Sequence, residues 1–328
     1  MIRAQRRLYS FGEVALSVML RISHLFTLDI GKCCHDWREM KMPQGTKHQS
    51  TKITKLLNIG DSGSGKTGAL ACLLKGGYRL IIVDFDNGLD ILVGILRDDK
   101  EALDRMYFET FTDRLKLVNQ MIVPVGEPKA FVNAMNGLER WKFRTEPGSE
   151  EYYDLGSAFD WGPDTVLVID SLGFAGEAAL RLVRQMNGHQ FDKFVAIPDW
   201  GQAMIKIEGL LQILHSKSIK CHVIVNSHIT YIEDAIKGTQ RGLPRALGSK
   251  LPPKVGGYFN SLVRSETIGS GKSAKRIIRT TSESGVELKL PVAPGTVKDE
   301  LPISDGLLTI FKTLQRHEWT EESSKQGE

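Results

Sequence analysis

The sequence predicts a wound α/β core, a mostly parallel sheet with helices on both faces, followed by an antiparallel extension. Three observations carry that expectation. Short apolar runs alternate with helix-patterned segments from residue 53 to residue 227. A glycine-rich stretch, GDSGSGKT at residues 60–67, lies between the first apolar run and the first helical pattern. Beyond residue 258 the chain turns to closely spaced short strands.

The run ITKLLNIG (53–60) predicts a strand, and KTGALACLLKGG (66–77) a helix closed by glycines. RLIIVDFD (79–86) has the continuous apolar character of a parallel strand buried on both faces. Residues 88–98 read as helix, 105–111 as strand, and 128–142, opening on Pro128, as helix. The polar, glycine-rich segment 144–162 reads as a loop or hairpin insertion. A strand follows at 165–170, then helices near 174–187 and 200–217 and a strand at 221–227. Residues 229–257 read as a long basic loop, and YFNSLVRSE, KRIIRTTS and VELKLPV as antiparallel strands. A last helix is expected from a Ser304 or Asp305 cap to about residue 317.

A chain of 328 residues with 41% hydrophobic and 25% charged residues has the composition of a soluble globular protein. Its four cysteines show no metal-type spacing, which points to a reducing, cytoplasmic compartment. The net charge of +4 divides unevenly. Residues 1–52 hold nine Lys/Arg against four Asp/Glu, residues 229–282 ten against three, so the rest sums to −8. Residues 1–50 are expected to be an extension outside the fold, 51–318 the folded domain, and 319–328 a flexible tail. The Arg-rich start resembles a mitochondrial presequence. It equally suits a short helical extension or translation from an upstream start, and Met40 and Met42, just before the patterned region, favour the last.

GDSGSGKT matches G-x-x-x-x-G-K-[ST] at every fixed position. Gly60, Gly63 and Gly65 let the backbone turn its N–H groups into one cavity, with Asp61, Ser62 and Ser64 completing the loop. Lys66 would reach the β- and γ-phosphates of ATP, and Thr67 would hold Mg²⁺ at the positive end of a helix. GSGKS at 269–273 imitates the motif, but Glu266 stands where its first glycine should be, so it reads as a basic hairpin turn.

TVLVID (165–170) delivers Asp170 from a buried strand, suited to orienting a metal-bound water. The next residue is Ser171, where many ATP-hydrolysing machines carry a Glu that activates water. The acid is therefore sought in DFDNGLD, where Asp84 and Asp86 are expected to face the same way with Asp86 further out. Asp86 could hold an in-line water against the γ-phosphate, or simply cap the turn at Gly88.

The succession GDSGSGKT, DFDNGLD, VLVIDSL, VIVNSHI and a basic segment resembles the RecA-type core, closest to phage-encoded RecA-like ATPases of AAA type related to annealing and recombination proteins. The resemblance covers about residues 50–317. It implies a catalytic role for Asp86 beside Lys66, and a γ-phosphate sensor in Asn226, Ser227 and His228, with His228 preferred. It places the sensor strand between the phosphate-loop strand and the Asp170 strand. It also implies a homo-oligomeric ring or filament, with single-stranded DNA on loops 187–200 and 229–257. In the second of these, Lys237, Arg241, Arg245, Lys250 and Lys254 suit phosphates and Tyr231 a stacked base. The same loop would also suit a subunit contact. An ATP-gated switch without nucleic acid and a packaging or helicase-type motor are the competing functions.

Overall fold

The computed structural model describes residues 53–316 except 119, 147, 192, 235–237 and 284, so the extension 1–50 and the tail 319–328 lie outside the described residues. The chain opens with β1 (Lys55–Gly60), the short helices α1 (Lys66–Ala69) and α2 (Ala71–Lys75), and β2 (Arg79–Asp84). Next come α3 (Asp90–Leu96), α4 (Lys100–Leu103), β3 (Met106–Thr110) and a hairpin of β4 (Leu115–Val118) and β5 (Met121–Pro124). Helix α5 (Ala130–Glu139) precedes a second hairpin, β6 (Lys142–Arg144) and β7 (Tyr152–Asp154), which begins just before the polar insertion and ends within it. Strand β8 (Thr165–Asp170), helices α6 (Leu172–Met186) and α7 (Ile197–His215), and β9 (His222–Asp234) complete the wound part. The remainder is β10 (Thr239–Pro244), α8 (Pro252–Val255), β11 (Ser261–Ile268), β12 (Lys275–Arg279), β13 (Glu300–Pro302) and α9 (Gly306–Arg316).

The main sheet has the order β13-β12-β11-β1-β9-β8-β2-β3, with β10 paired to β9. Strands β11, β1, β9, β8, β2 and β3 are mutually parallel, and β12 and β13 add antiparallel. Strand β9 thus separates β1 from β8. Each central strand is buried on both faces, because successive side chains point to opposite sides. Leu57, Ile81, Leu167 and Val223 pack with α5, α6 and α7 on one side. Leu56, Leu80, Val166 and Ile224 pack with α1 to α4 and α9 on the other. Burial of the whole apolar run, rather than of alternate residues, makes these strands legible.

Three sequence expectations are corrected. The segment 229–257 is not one long loop: β9 runs on to Asp234 and pairs antiparallel with β10 from Ile229–Pro244 outward, forming a hairpin. YFNSLVRSE is not purely antiparallel, since β11 lies parallel to β1 from Leu56–Ser261 to Ile59–Arg264. VELKLPV forms isolated bridges at Val286 and Lys289 instead of a strand, while β13 takes the outer place beside β12. Such pairing depends on which edge is open once the core has assembled, and local pattern does not carry that. The exposed β4–β5 hairpin was also unanticipated.

Candidate nucleotide-binding site

The glycine-rich loop leaves β1 at the carboxyl edge of the sheet and enters α1 at Lys66. Gly60 is required by close approach, because a Cβ there would lie 2.2 Å from the Ser265 carbonyl oxygen. Gly65 has φ +95°, a left-handed conformation that aims the following N–H groups into the loop. Lys66 is buried, and its Nζ donates to the carbonyls of Gly60 at 2.9 Å and Asp61 at 2.8 Å. Burial lowers its pKa, opposed by the carboxylates of Asp170, Asp61 and Asp86.

Thr67 Oγ1 donates to Asp170 Oδ2 at 2.7 Å, and Asn226 Nδ2 donates to the same oxygen at 2.9 Å. The register explains the convergence, since Asp170 stands beside Asn226 and Asn226 beside Asn58 on adjacent parallel strands. Asn58 Nδ2 donates to Asn226 Oδ1 at 3.2 Å, and Ser265 Oγ donates to Asn58 Oδ1 at 2.8 Å. A fully buried polar row therefore crosses the sheet from β11 to the metal-side carboxylate. Burial pushes the Asp170 carboxyl up to about 7, with the charge of Asp86 adding and the hydrogen bonds from Thr67 and Asn226 opposing.

Lys66, Thr67, Asp86, Asp170 and His228 line one cavity of about 260 Å³ together with Ser62, Gly63 and Gly65. Asp86 reaches it from a bend, because β2 ends at Asp84. Asp84 does not face the cavity with Asp86, which corrects the expected pairing. Its buried carboxylate accepts from the backbone N–H of Asp86 (3.1 Å) and Asn87 (2.9 Å) and from Thr110 Oγ1 (2.9 Å). That bonding shapes the turn that presents Asp86. Burial and the cations Lys66 and Arg245 hold the His228 pKa below the usual histidine value, so its ring is neutral near pH 7.

Arg276, from β12, also lines the cavity and was missed by sequence reasoning. Its Nε donates to the Gly63 carbonyl at 3.1 Å, across 213 residues. The basic composition of KRIIR was visible in the sequence, but not its pairing with the loop. Asn58 and Ser265 were missed as well. A polar residue inside the apolar run KLLNIG was the available signal.

Three of the residues expected to meet nucleic acid make ion pairs at the surface. Arg241 pairs with Glu287 (2.9 Å), Arg245 with Glu177 (3.0 Å) and Lys254 with Glu208 (3.5 Å). Arg245 lies against α6 at Gly173, and its backbone N–H donates to the carbonyl of His228, a residue that lines the phosphate cavity. Lys250 is exposed, and Lys237 lies outside the described residues.

Among the described residues no cluster of three or more His, Cys, Asp or Glu could cage a metal ion. Thr67 and Asp170 fit a magnesium ion that takes its other oxygens from phosphates and water. The buried Ser64 Oγ and Ser171 Oγ, without partners among the described residues, leave further polar capacity beside the loop.

A phosphate loop opening a helix, its lysine and threonine, and a carboxylate at the end of a parallel strand two places along the sheet define a P-loop nucleotide-binding domain. A family model described as an AAA domain matches residues 52–291, more than half of the chain, and the chain belongs to that family. Among solved structures it is similar to the flagellar accessory protein FlaH from Methanocaldococcus jannaschii, with 12% identity, 77% of this chain and 87% of that one covered, and a TM-score of 0.37. A type III secretion system ATPase of pathogenic bacteria matches with 12% identity, 64% and 50% covered, and a TM-score of 0.35. A KaiC-like protein from Pyrococcus horikoshii matches with 15% identity, 76% and 84% covered, and a TM-score of 0.34. No curated protein matches.

Proposed function

We propose that this AAA-type domain hydrolyses ATP with Mg²⁺ and couples turnover to single-stranded DNA as a cytoplasmic homo-oligomer, in the manner of phage-encoded recombination or replication ATPases. The convergence of Lys66, Thr67, Asp86, Asp170 and His228 on one cavity carries the hydrolytic part. Lys66 would neutralise the β- and γ-phosphates, and Asp86 would hold an in-line water as oriented proton acceptor. His228, uncharged and hydrogen-bond capable, would sense the γ-phosphate, while Asn226 fixes the direction of Asp170. Magnesium held by Thr67 and Asp170 would supply charge neutralisation at the phosphates.

The DNA part rests on the excess of Lys/Arg in 229–282. The ion pairs of Arg241, Arg245 and Lys254 with carboxylates of the same chain favour a second reading, an ATP-gated switch without nucleic acid. ATP turnover measured with and without single-stranded DNA tests both. Asp86→Asn should retain ATP binding and lose at least about tenfold in turnover, since removing a proton acceptor costs roughly 10²–10⁴. Unchanged turnover would make Asp86 a turn residue only. Arg241→Ala with Lys250→Ala should keep basal turnover and make the salt dependence of DNA affinity shallower by about 0.7 log units per lost phosphate contact. No DNA stimulation and salt-insensitive DNA binding would put the switch reading ahead.

A further inference from the structure

We propose that an aliphatic slot beside the phosphate loop takes the base of the nucleoside triphosphate and reads its flat faces rather than its edges, so that adenine and guanine are accepted alike. This rests on the phosphate-binding reading above. The slot, of about 170 Å³, shares Gly65, Gly68, Ile91 and Arg276 with the phosphate cavity, so a nucleotide seated on the loop can extend into it.

Ile91 and Ile95 form one wall, one turn apart on α3 and on the same face. They are 50% and 44% exposed, whereas Leu92 and Leu96 of the same helix are fully buried and anchor it. Ile303, in the turn after β13, lies across the slot, with its Cγ1 3.4 Å from where a Gly65 Cβ would stand. Gly68 keeps the mouth open, since a Cβ there would meet Ile95 Cδ1 at 3.1 Å and project towards Ile91. Two aliphatic walls and a guanidinium between slot and phosphates suit an uncharged planar ring attached to an anion.

The polar side chains of the slot outside the shared wall are Lys75 and Ser304, both exposed. A hydroxyl both donates and accepts, and an ammonium can donate to the N7 that both purines carry. Neither distinguishes the amino group of adenine from the carbonyl of guanine. Sites built to hydrogen-bond a ligand edge reject the wrong ligand by about 10⁴–10⁵, whereas apolar slots reach only roughly 10–200-fold.

Calorimetric titration of the full chain with Mg²⁺ and ATP, GTP or inorganic tripolyphosphate tests this, on wild type and on Ile95→Ser, whose side chain lines the slot and not the phosphate cavity. ATP and GTP should bind within about threefold of each other and at least about tenfold more tightly than tripolyphosphate. Ile95→Ser should lose about fivefold for both nucleotides and nothing for tripolyphosphate. Ile303→Ser, in the turn after β13, should shift the same way and covers the case in which Ile95→Ser does not fold. Variants that bind nucleotides like wild type, or a preference above about tenfold for one purine, would overturn the slot while leaving the phosphate loop intact. Failure of wild type to bind either ATP or tripolyphosphate would overturn the phosphate reading itself.

Discussion

Asp170→Asn should stabilise the nucleotide-free chain while abolishing its response to magnesium. Both hydrogen bonds to Asp170 end on Oδ2, from Thr67 Oγ1 at 2.7 Å and Asn226 Nδ2 at 2.9 Å, and the amide oxygen of asparagine can accept both. What changes is charge. The carboxyl stands at about 7 in the folded chain against an ordinary 3.8, because burial penalises the ionised form. Between those values the folded chain keeps a proton that the unfolded chain has released, so stability falls as pH rises through that window. At 1.36 kcal/mol per unit, the penalty is about 2 kcal/mol near pH 5 and about 4 kcal/mol near pH 8. The advantage of Asp170→Asn should therefore grow by about 2–3 kcal/mol between those conditions. Urea unfolding of both proteins in a chelating buffer measures it. A stability difference that stays flat across this range would refute the assignment of Asp170 as a buried, proton-holding carboxyl. Added Mg²⁺ should stabilise wild type in the presence of ATP and leave the variant unchanged.

Lys66→Ala should abolish nucleotide binding by calorimetry and preserve the circular dichroism of the fold, since among the described residues Lys66 bonds to the carbonyls of Gly60 and Asp61 alone and its ammonium is already penalised by burial. Equal affinity in the variant would remove the lysine from the phosphate site. Asn58→Leu should destabilise by about 2–5 kcal/mol in urea unfolding, because it leaves Asn226 Oδ1 and Ser265 Oγ unpaired at zero exposure. A change below about 0.5 kcal/mol would mean that the row across the sheet adds nothing to stability.

The phosphate loop was readable in the sequence because its geometry is local: eight residues carry the bend, the lysine and the hydroxyl. The central strands were readable because burial on both faces leaves unbroken apolar runs, as in RLIIVD and TVLVID. Asp86 could be named from its place just past an apolar run and His228 from the resemblance, which implied that both stand at the γ-phosphate, and both line one cavity. The rest depended on chain segments far apart in sequence. Asn58 finds Asn226 across 168 residues and Ser265 across 207, and Arg276 reaches Gly63 across 213. The parallel seat of β11 on β1 and the β9–β10 hairpin likewise follow from edges that exist only once the sheet has formed. Periodicity records which face a residue buries, and a strand's pattern is the same whichever neighbour it pairs with. Only the assembled sheet decides that neighbour, and with it which side chains reach the nucleotide.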